Sequence, residues 1–285
     1  MALRQTSGSV ICPSCGVLVG VNDDACYQCG RRNPGLFGFA PVLRRLGRDL
    51  GFVPLVIGAS LALYTFMLLA SGSNIRMGGL FSMFSPDNRV LFLFGASGSL
   101  PVFGLGRWWT VLSAGWLHAG VLHIFFNMLW VRQLAPATAE RYGPARMVII
   151  YVLAGVCGFA LSSFAGAFVP PILVLRGGQF TVGASAPIFG LLGALVCYGR
   201  RTGSSMAAQE ALQYALFLGL FGLMPGSGVD NYAHAGGFAG GYMVARLLDP
   251  LKHERGDHMI LALGCLAATA VAILYSIASG ISLLG

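Results

Sequence analysis

Seven apolar stretches run in succession from Phe52 to the end of the chain, separated by short segments rich in arginine, glycine and proline. The first, Phe52 to Ala70, has no charged side chain and is long enough for a bilayer, which takes about 20 helical residues. The others are placed at Val121 to Ala135, Met147 to Phe168, Ser185 to Tyr198, Ala208 to Leu223, Tyr232 to Leu248 and His258 to Leu284. Lipid offers the backbone no hydrogen-bond partners, so such segments satisfy their own N–H and C=O groups as helices. Composition agrees, with 56% hydrophobic residues, only 10% charged ones and a mean hydropathy of +0.74. Soluble domains carry about 25% charged residues. An all-α polytopic membrane protein is expected, and an enzyme built on a large soluble core is excluded. The 41 glycines suit close helix–helix approach in lipid.

The formal charge of +8 invites a nucleic-acid reading, but the placement of the cations speaks for topology. With the N-terminus in the cytoplasm, only Arg76, Arg89, Arg107 and Arg176 of the 18 basic residues fall outside. Seven spans then put the C-terminus outside. Residues 71–107 form a long mixed loop, in which Val90 to Phe94 is too short to span and is expected at the interface. Trp108, Trp109 and Trp116 are assigned to the same interfacial zone.

The first thirty residues lack an apolar core of the signal-peptide kind and hold four cysteines, so no cleavable signal is expected. Cys12-Pro13-Ser14-Cys15 and Cys26-Tyr27-Gln28-Cys29 are two Cys-x-x-Cys hooks, followed by Gly16 and Gly30. Duplicated hooks can present four thiolates at tetrahedral corners, as structural zinc requires. Disulfides are the alternative, disfavoured in a reducing cytoplasm. One closed, structural Zn2+ is expected in a small ribbon over residues 8–33. That ribbon has few aromatics for stacking on bases; a cytoplasmic protein partner is expected rather than nucleic acid. Residues 34–51, with Arg44, Arg45 and Arg48, form a basic connector. Cys157, Cys197 and Cys265 sit singly in apolar runs and read as packing residues.

Polar side chains inside spans are costly and mark function. Span two brings His118, His123 and Asn127, the last two four apart and on one helical face. Span four opens with Ser185, after Gly183, and span six with His234, ahead of Gly237 and Gly241. These three spans run from outside to inside, so their polar groups share one depth near the outer surface. Acyl transfer fits: a serine hydroxyl becomes a nucleophile when a base takes its proton, and His234 is the histidine in the later spans able to do so. No intramembrane Asp or Lys offers a third member, leaving a Ser185–His234 dyad. The Ser185 N–H, the Asn127 amide and a His123 ring N–H are candidate oxyanion donors. Gly237 and Gly241 would bring span six against Gly190 and Gly193 of span four. The Gly-x-Ser-x-Gly elbow of α/β-hydrolases is absent, since Pro187 holds the fifth position.

Across Trp109 to Leu248 the chain resembles the rhomboid family of intramembrane serine proteases. The likeness rests on His118-Ala119-x-x-x-His123-Ile124-x-x-Asn127-Met128, Glu140-Arg141-x-Gly143, Gly183-x-Ser185 and His234-x-x-Gly237-x-x-x-Gly241. It implies a rhomboid-like six-helix bundle over 52–250, with residues 251–285 as a charged linker and a seventh transmembrane helix. It implies Ser185 as nucleophile, His234 as base, His123 and Asn127 in the oxyanion site, and His118 as a loop-supporting histidine. Phe189 takes the place of the aromatic that stacks on the catalytic histidine, where Tyr is common. Ala186 and Pro187 replace the glycine after the nucleophile and its neighbour. Thr110 replaces an arginine after the loop tryptophan, with Arg107 as a substitute anchor. The implied substrates are transmembrane segments cut near their outer ends; a zinc ribbon joined to a bundle without a targeting peptide points to a bacterial plasma membrane. An inactive rhomboid-like binder of transmembrane segments is the alternative.

Overall fold

The structure, a computed structural model, describes residues 4–13, 15–41, 47, 49–78, 82–172, 175–224 and 227–284. The connector arginines Arg44, Arg45 and Arg48 lie outside the described residues, as do Pro225 and Gly226.

The N-terminal module pairs β1 (Ser9–Ile11) with β2 (Leu18–Gly20), antiparallel, with Val10 opposite Val19. Its small core consists of Val10, Val19, Val21 and Ala40 around Cys12 and Cys26. The rest is helical: α1 (Phe52–Ser71), α2 (Asn88–Phe94), α3 (Thr110–Ser113), α4 (Val121–Tyr142), α5 (Pro144–Phe168), α6 (Ser185–Thr202), α7 (Ser205–Phe221), α8 (Asn231–Leu247) and α9 (Gly256–Leu284). The long helices α1 and α4–α9 match the seven apolar stretches in order, a six-helix bundle with a seventh helix added.

Fewer helices than the stretches implied can cross a bilayer on length and apolarity alone. Among the described residues three do, Phe52–Asn74, Pro144–Phe168 and Gly256–Leu283. A fourth is counted if Thr110–Trp116 and Val121–Tyr142 are taken together across their 93° bend. α7 and α8 are 17 residues long each, and α6 carries Arg200 and Arg201 in its last turn. α6 hides nearly every side chain from Ala186 to Gly199, so its small and polar residues meet protein rather than lipid. α4 also continues through Pro136 to Tyr142, past the end expected at Ala135. Its last turn is tied to α6, with the Tyr142 hydroxyl donating to the Ala194 carbonyl at 3.0 Å.

α8 is wedged between α5 and α6 along two glycine faces. A methyl on Gly237 would strike the Ala186 carbonyl, and one on Gly241 the Gly190 backbone. On the other face a methyl on Gly236 would lie 2.8 Å from the Cys157 carbonyl oxygen. Backbones this close require glycine, and the contact is van der Waals packing of the kind that holds helices together in lipid.

The segments expected at the interface pack against the rest of the protein. Val90 to Phe94 lies within α2, whose Leu91 and Phe92 are buried. Trp116 is buried in the bundle core, and Trp109 packs edge-on against Tyr275 of α9 at 4.5 Å. Trp108 is exposed. The charged linker before α9 is likewise not an open break. Glu254 is buried and accepts the Arg146 backbone N–H at 2.9 Å, and the Arg146 guanidinium donates to the carbonyls of Asp249, Lys252 and His253 at 2.8, 2.8 and 2.6 Å. A buried guanidinium needs several acceptors at once, and a folded linker supplies them.

Candidate active site

Ser185 is the first residue of α6. The preceding Gly183 has φ of +131°, and Ala184 rather than Ser185 is the N-cap. The cap position is held by Ala184, whose methyl cannot cap, so Ser185 is not the plain N-cap of the helix. Ser185 stays partly exposed between buried Ala184 and Ala186. Pro187 sits in the first turn, where its missing N–H costs nothing, and its ring fills the space beside Gly155 and Gly115.

The first turn of α4 meets this loop. A methyl built on Gly183 would lie 2.6 Å from His123 Nε2 and 3.8 Å from Ser185 Oγ, so the imidazole and the hydroxyl flank the same glycine. His123 Nδ1 accepts the Ala119 N–H at 3.3 Å. A neutral ring that accepts at Nδ1 carries its proton on Nε2, the nitrogen beside Gly183. His118 is fully buried; its Nε2 accepts the Ala184 N–H at 3.4 Å, and its ring meets His123 edge-on at 5.2 Å. Asn127 does not reach toward Ser185 with its whole amide: Nδ2 donates to the His123 carbonyl at 2.8 Å, leaving one N–H of the two.

α8 supplies the fourth group. The His234 ring stacks on Phe189, with centroids 4.0 Å apart and planes 15° from parallel. Phe189 lies one turn after Ser185, on the same face of α6. His234 is therefore held on the side of α6 that carries the hydroxyl. Its Nδ1 is buried without a hydrogen-bond partner, and among the described residues no hydrogen bond joins its ring to Ser185. Catalytic hydrogen bonds are often long before substrate binds.

One group escaped the sequence reading. Asp230 caps α8, its Oδ1 accepting the Ala233 N–H at 3.0 Å, while Oδ2 accepts the Ser162 hydroxyl. Ser162 Oγ in turn accepts the Gly178 N–H at 2.9 Å, tying the loop before α6 to the start of α8. The signal was present as an Asp one residue before an apolar helix, a common N-cap. Both carboxylate oxygens are engaged there.

The four N-terminal cysteines converge at the other site. Cys12 and Cys29 sulfurs are 3.7 Å apart, Cys15 and Cys26 3.6 Å, and all four ligand atoms lie within 4.8 Å of one another. Bonded sulfurs would be about 2.05 Å apart, so these are thiols rather than disulfides. Zinc at a Zn–S distance of about 2.3 Å would need sulfur–sulfur edges of roughly 3.8 Å, which the cluster nearly matches. Gly16 and Gly30, both at positive φ, donate N–H groups to the carbonyls of Cys12 and Cys26 and close the two hooks. Burial pushes the Cys29 thiol up to about 12. At Cys26 burial is outweighed by hydrogen bonds from the Cys29 and Gln28 backbone, and the thiol falls to about 7. A cation among the sulfurs would stabilise all four thiolates. The residues fit a bound metal ion.

Comparison with known proteins places this arrangement. The Rhomboid domain family model matches residues 105–250. RHOMBOID-like protein 7 of Arabidopsis thaliana is 31% identical over 170 residues, covering 58% of this chain and 51% of that protein. Rhomboid protease GluP of Bacillus subtilis is 31% identical over 194 residues, 67% of this chain and 36% of that protein. Rhomboid-like protease 3 of Toxoplasma gondii is 25% identical over 199 residues, 68% and 72% of the two chains. The chain spans between about a third and a half of the first two relatives' own length. A family match over half of the chain, on a helical bundle whose α4, α6 and α8 bring His123, Ser185 and His234 to one end, shows that this protein is an integral membrane member of the rhomboid family.

Proposed function

We propose that the protein is an intramembrane serine endopeptidase that hydrolyses peptide bonds in or near transmembrane helices. The observation that carries this reading is the stack of His234 on Phe189, which holds an imidazole on the face of α6 that bears Ser185. His234 takes the Ser185 proton as Oγ attacks the scissile carbonyl, then returns it to the leaving amine; water repeats the sequence on the acyl-enzyme. The oxyanion is stabilised by the Ser185 N–H, the His123 Nε2–H and the remaining Asn127 N–H, each contributing about 3 kcal/mol. His118 supports the Ala184 N–H, and Gly183, Gly237 and Gly241 permit the close approach. A substrate helix must unwind locally before its carbonyl reaches Oγ, which favours helix-weakening residues near the cut.

The proposed organisation is a ribbon over residues 8–33, a connector over 34–51, the bundle over 52–250 and a linker with the seventh helix over 251–285. The ribbon would hold one Zn2+ on Cys12, Cys15, Cys26 and Cys29, a closed set that stabilises the module and leaves no position for substrate. The arginine bias favours a cytoplasmic ribbon and a C-terminus outside, with a cytoplasmic protein as the ribbon's partner; the pairing of ribbon and bundle is the ground for a bacterial plasma membrane. Entry for substrate lies beside α7, whose one fully buried side chain is Ala211, with the loop 226–231 as the other part of the gate; Gly226 falls outside the described residues.

A second reading, binding of transmembrane segments without cleavage, draws on the absence of a Ser185–His234 hydrogen bond among the described residues. One assay separates the two. Purified protein is incubated with a reporter transmembrane substrate beside Ser185→Ala and His234→Ala. Loss of cleavage in both variants supports the protease; cleavage equal to the unmodified chain in Ser185→Ala ends it, and binding without cleavage by the unmodified chain favours the second reading.

A further inference from the structure

α9 is fastened to the loop between α2 and α3 by buried polar contacts as well as by apolar packing. Arg107 is buried, and its guanidinium donates to the Phe92 carbonyl at 2.8 Å, the Ser276 carbonyl at 2.7 Å and Ser279 Oγ at 3.4 Å. It lies over the Phe92 ring, 4.1 Å from the centroid. Trp109 adds an Nε1–H bond to Ser276 Oγ at 3.1 Å. A buried cation held by carbonyl and hydroxyl oxygens is costly to uncouple, because each lost acceptor leaves charge without solvent.

From Arg107 the contacts run inward to the nucleophile loop. Thr110 Oγ1 donates to the Arg107 carbonyl at 2.8 Å and lies 3.4 Å from Ser97 Oγ. Ser97 and Thr181 exchange backbone hydrogen bonds at 3.0 and 2.8 Å, and the Ser99 N–H donates to the Gly178 carbonyl at 2.9 Å. The Gly183 N–H donates to the Ala114 carbonyl at 3.0 Å, two residues before Ser185. Seventh helix, first loop and nucleophile loop thus form one hydrogen-bonded series.

We propose that α9 braces the nucleophile loop, with Arg107 and Ser276 as positioning residues that set where Ser185 Oγ sits. Neither touches the reacting atoms, and the proposal rests on Ser185 being the nucleophile. The C-terminal helix is then part of the working site rather than an appendage to it.

The test uses the full-length protein in detergent. It measures the rate at which a fluorophosphonate probe labels Ser185, together with kcat and KM on a reporter transmembrane substrate and the unfolding temperature. Arg107→Gln is expected to slow labelling about tenfold and to lower kcat with KM within about twofold, as displacement of a reacting group does. Arg107→Lys, which keeps a cation able to reach the same carbonyls, is expected to recover part of the rate. Ser276→Ala removes only the Trp109 bond and is expected to slow labelling by about two- to threefold, which keeps the test open should Arg107→Gln fail to fold. Folded variants labelled at the unmodified rate overturn the brace. So do rates that follow the unfolding temperature alone, with no recovery in Arg107→Lys. If Ser185→Ala is labelled as fast as the unmodified chain, the nucleophile reading fails and the brace falls with it; normal Ser185-dependent labelling with indifferent brace variants defeats the brace alone.

Discussion

The imidazole of His234 lies flat on the ring of Phe189, 4.0 Å between centroids, so one helix dictates the orientation of a side chain on another. Such a stack contributes about 1 kcal/mol beyond the area it buries. Phe189→Ala should free the ring to rotate and lower kcat/KM about five- to tenfold, while Phe189→Tyr keeps the stack and stays near the unmodified value. Equal kcat/KM for Phe189→Ala and the unmodified protein would show that the stack does not orient the base.

Gly237 tolerates no side chain, because the Ala186 carbonyl occupies the place of a Cβ. Gly237→Ala should force α6 and α8 apart, with a loss of roughly 1–3 kcal/mol of stability and a larger proportional loss of activity. Gly264, in α9, has nothing within 4 Å of a built Cβ, so Gly264→Ala should change stability by less than about 1 kcal/mol. Thermal unfolding in detergent compares the two; similar unfolding temperatures would contradict the packing account.

Asp230 joins the α8 cap to Ser162 and, through it, to Gly178. Asp230→Ala should cost about 1 kcal/mol for the cap alone, with Asp230→Asn milder because an amide oxygen can still accept the Ala233 N–H. If the carboxylate were a catalytic partner instead, Asp230→Asn would abolish kcat while leaving the unfolding temperature unchanged. That split is the measurement.

Chelation should act on the ribbon. About one zinc per chain is expected by metal analysis, lost in Cys26→Ser. Hydrogen exchange over residues 8–33 should rise on metal removal, since binding energy at such a site is folding energy, while α4 to α6 keep their protection. A metal-free chain whose ribbon exchanges no faster would remove the zinc assignment.

Trp130 on α4 meets Tyr214 on α7 edge-on at 5.2 Å. Tyr214→Ala should loosen α7 by about 1 kcal/mol and raise turnover of a transmembrane reporter severalfold, without changing labelling of Ser185 by a small probe. Slower turnover, or a matching change in probe labelling, would argue that α7 supports the site rather than guarding entry to it.

Much of this was readable in advance because it is local. The apolar stretches set the order of the long helices, and Cys-x-x-Cys followed by glycine set the two hooks of the ribbon. Span lengths were less legible, since the second span was expected to end at Ala135 and the helix instead runs on through Pro136 to Tyr142. Arg146 counted only as one of the inside cations and Glu254 as part of the charged linker, although together they fold that linker onto α5. Asp230 was overlooked for the same reason: its cap is local, but its bond to Ser162 joins residues far apart in the chain.

Taken alone, the sequence determined that this protein is helical and membrane-embedded, that two Cys-x-x-Cys hooks open the chain, and which polar side chains stand at the starts of otherwise apolar helices. Periodicity, capping and ligand spacing are short-range properties, and short-range sterics and hydrogen bonding fix them. Only the tertiary structure decided that Gly237 seats α8 on Ala186, that Phe189 rather than Asp230 faces the His234 ring, and that Arg107 reaches across to Ser276 of the last helix. Those outcomes depend on which helix faces meet in three dimensions, and backbone contact, ring stacking and a buried guanidinium leave no periodic trace along the chain.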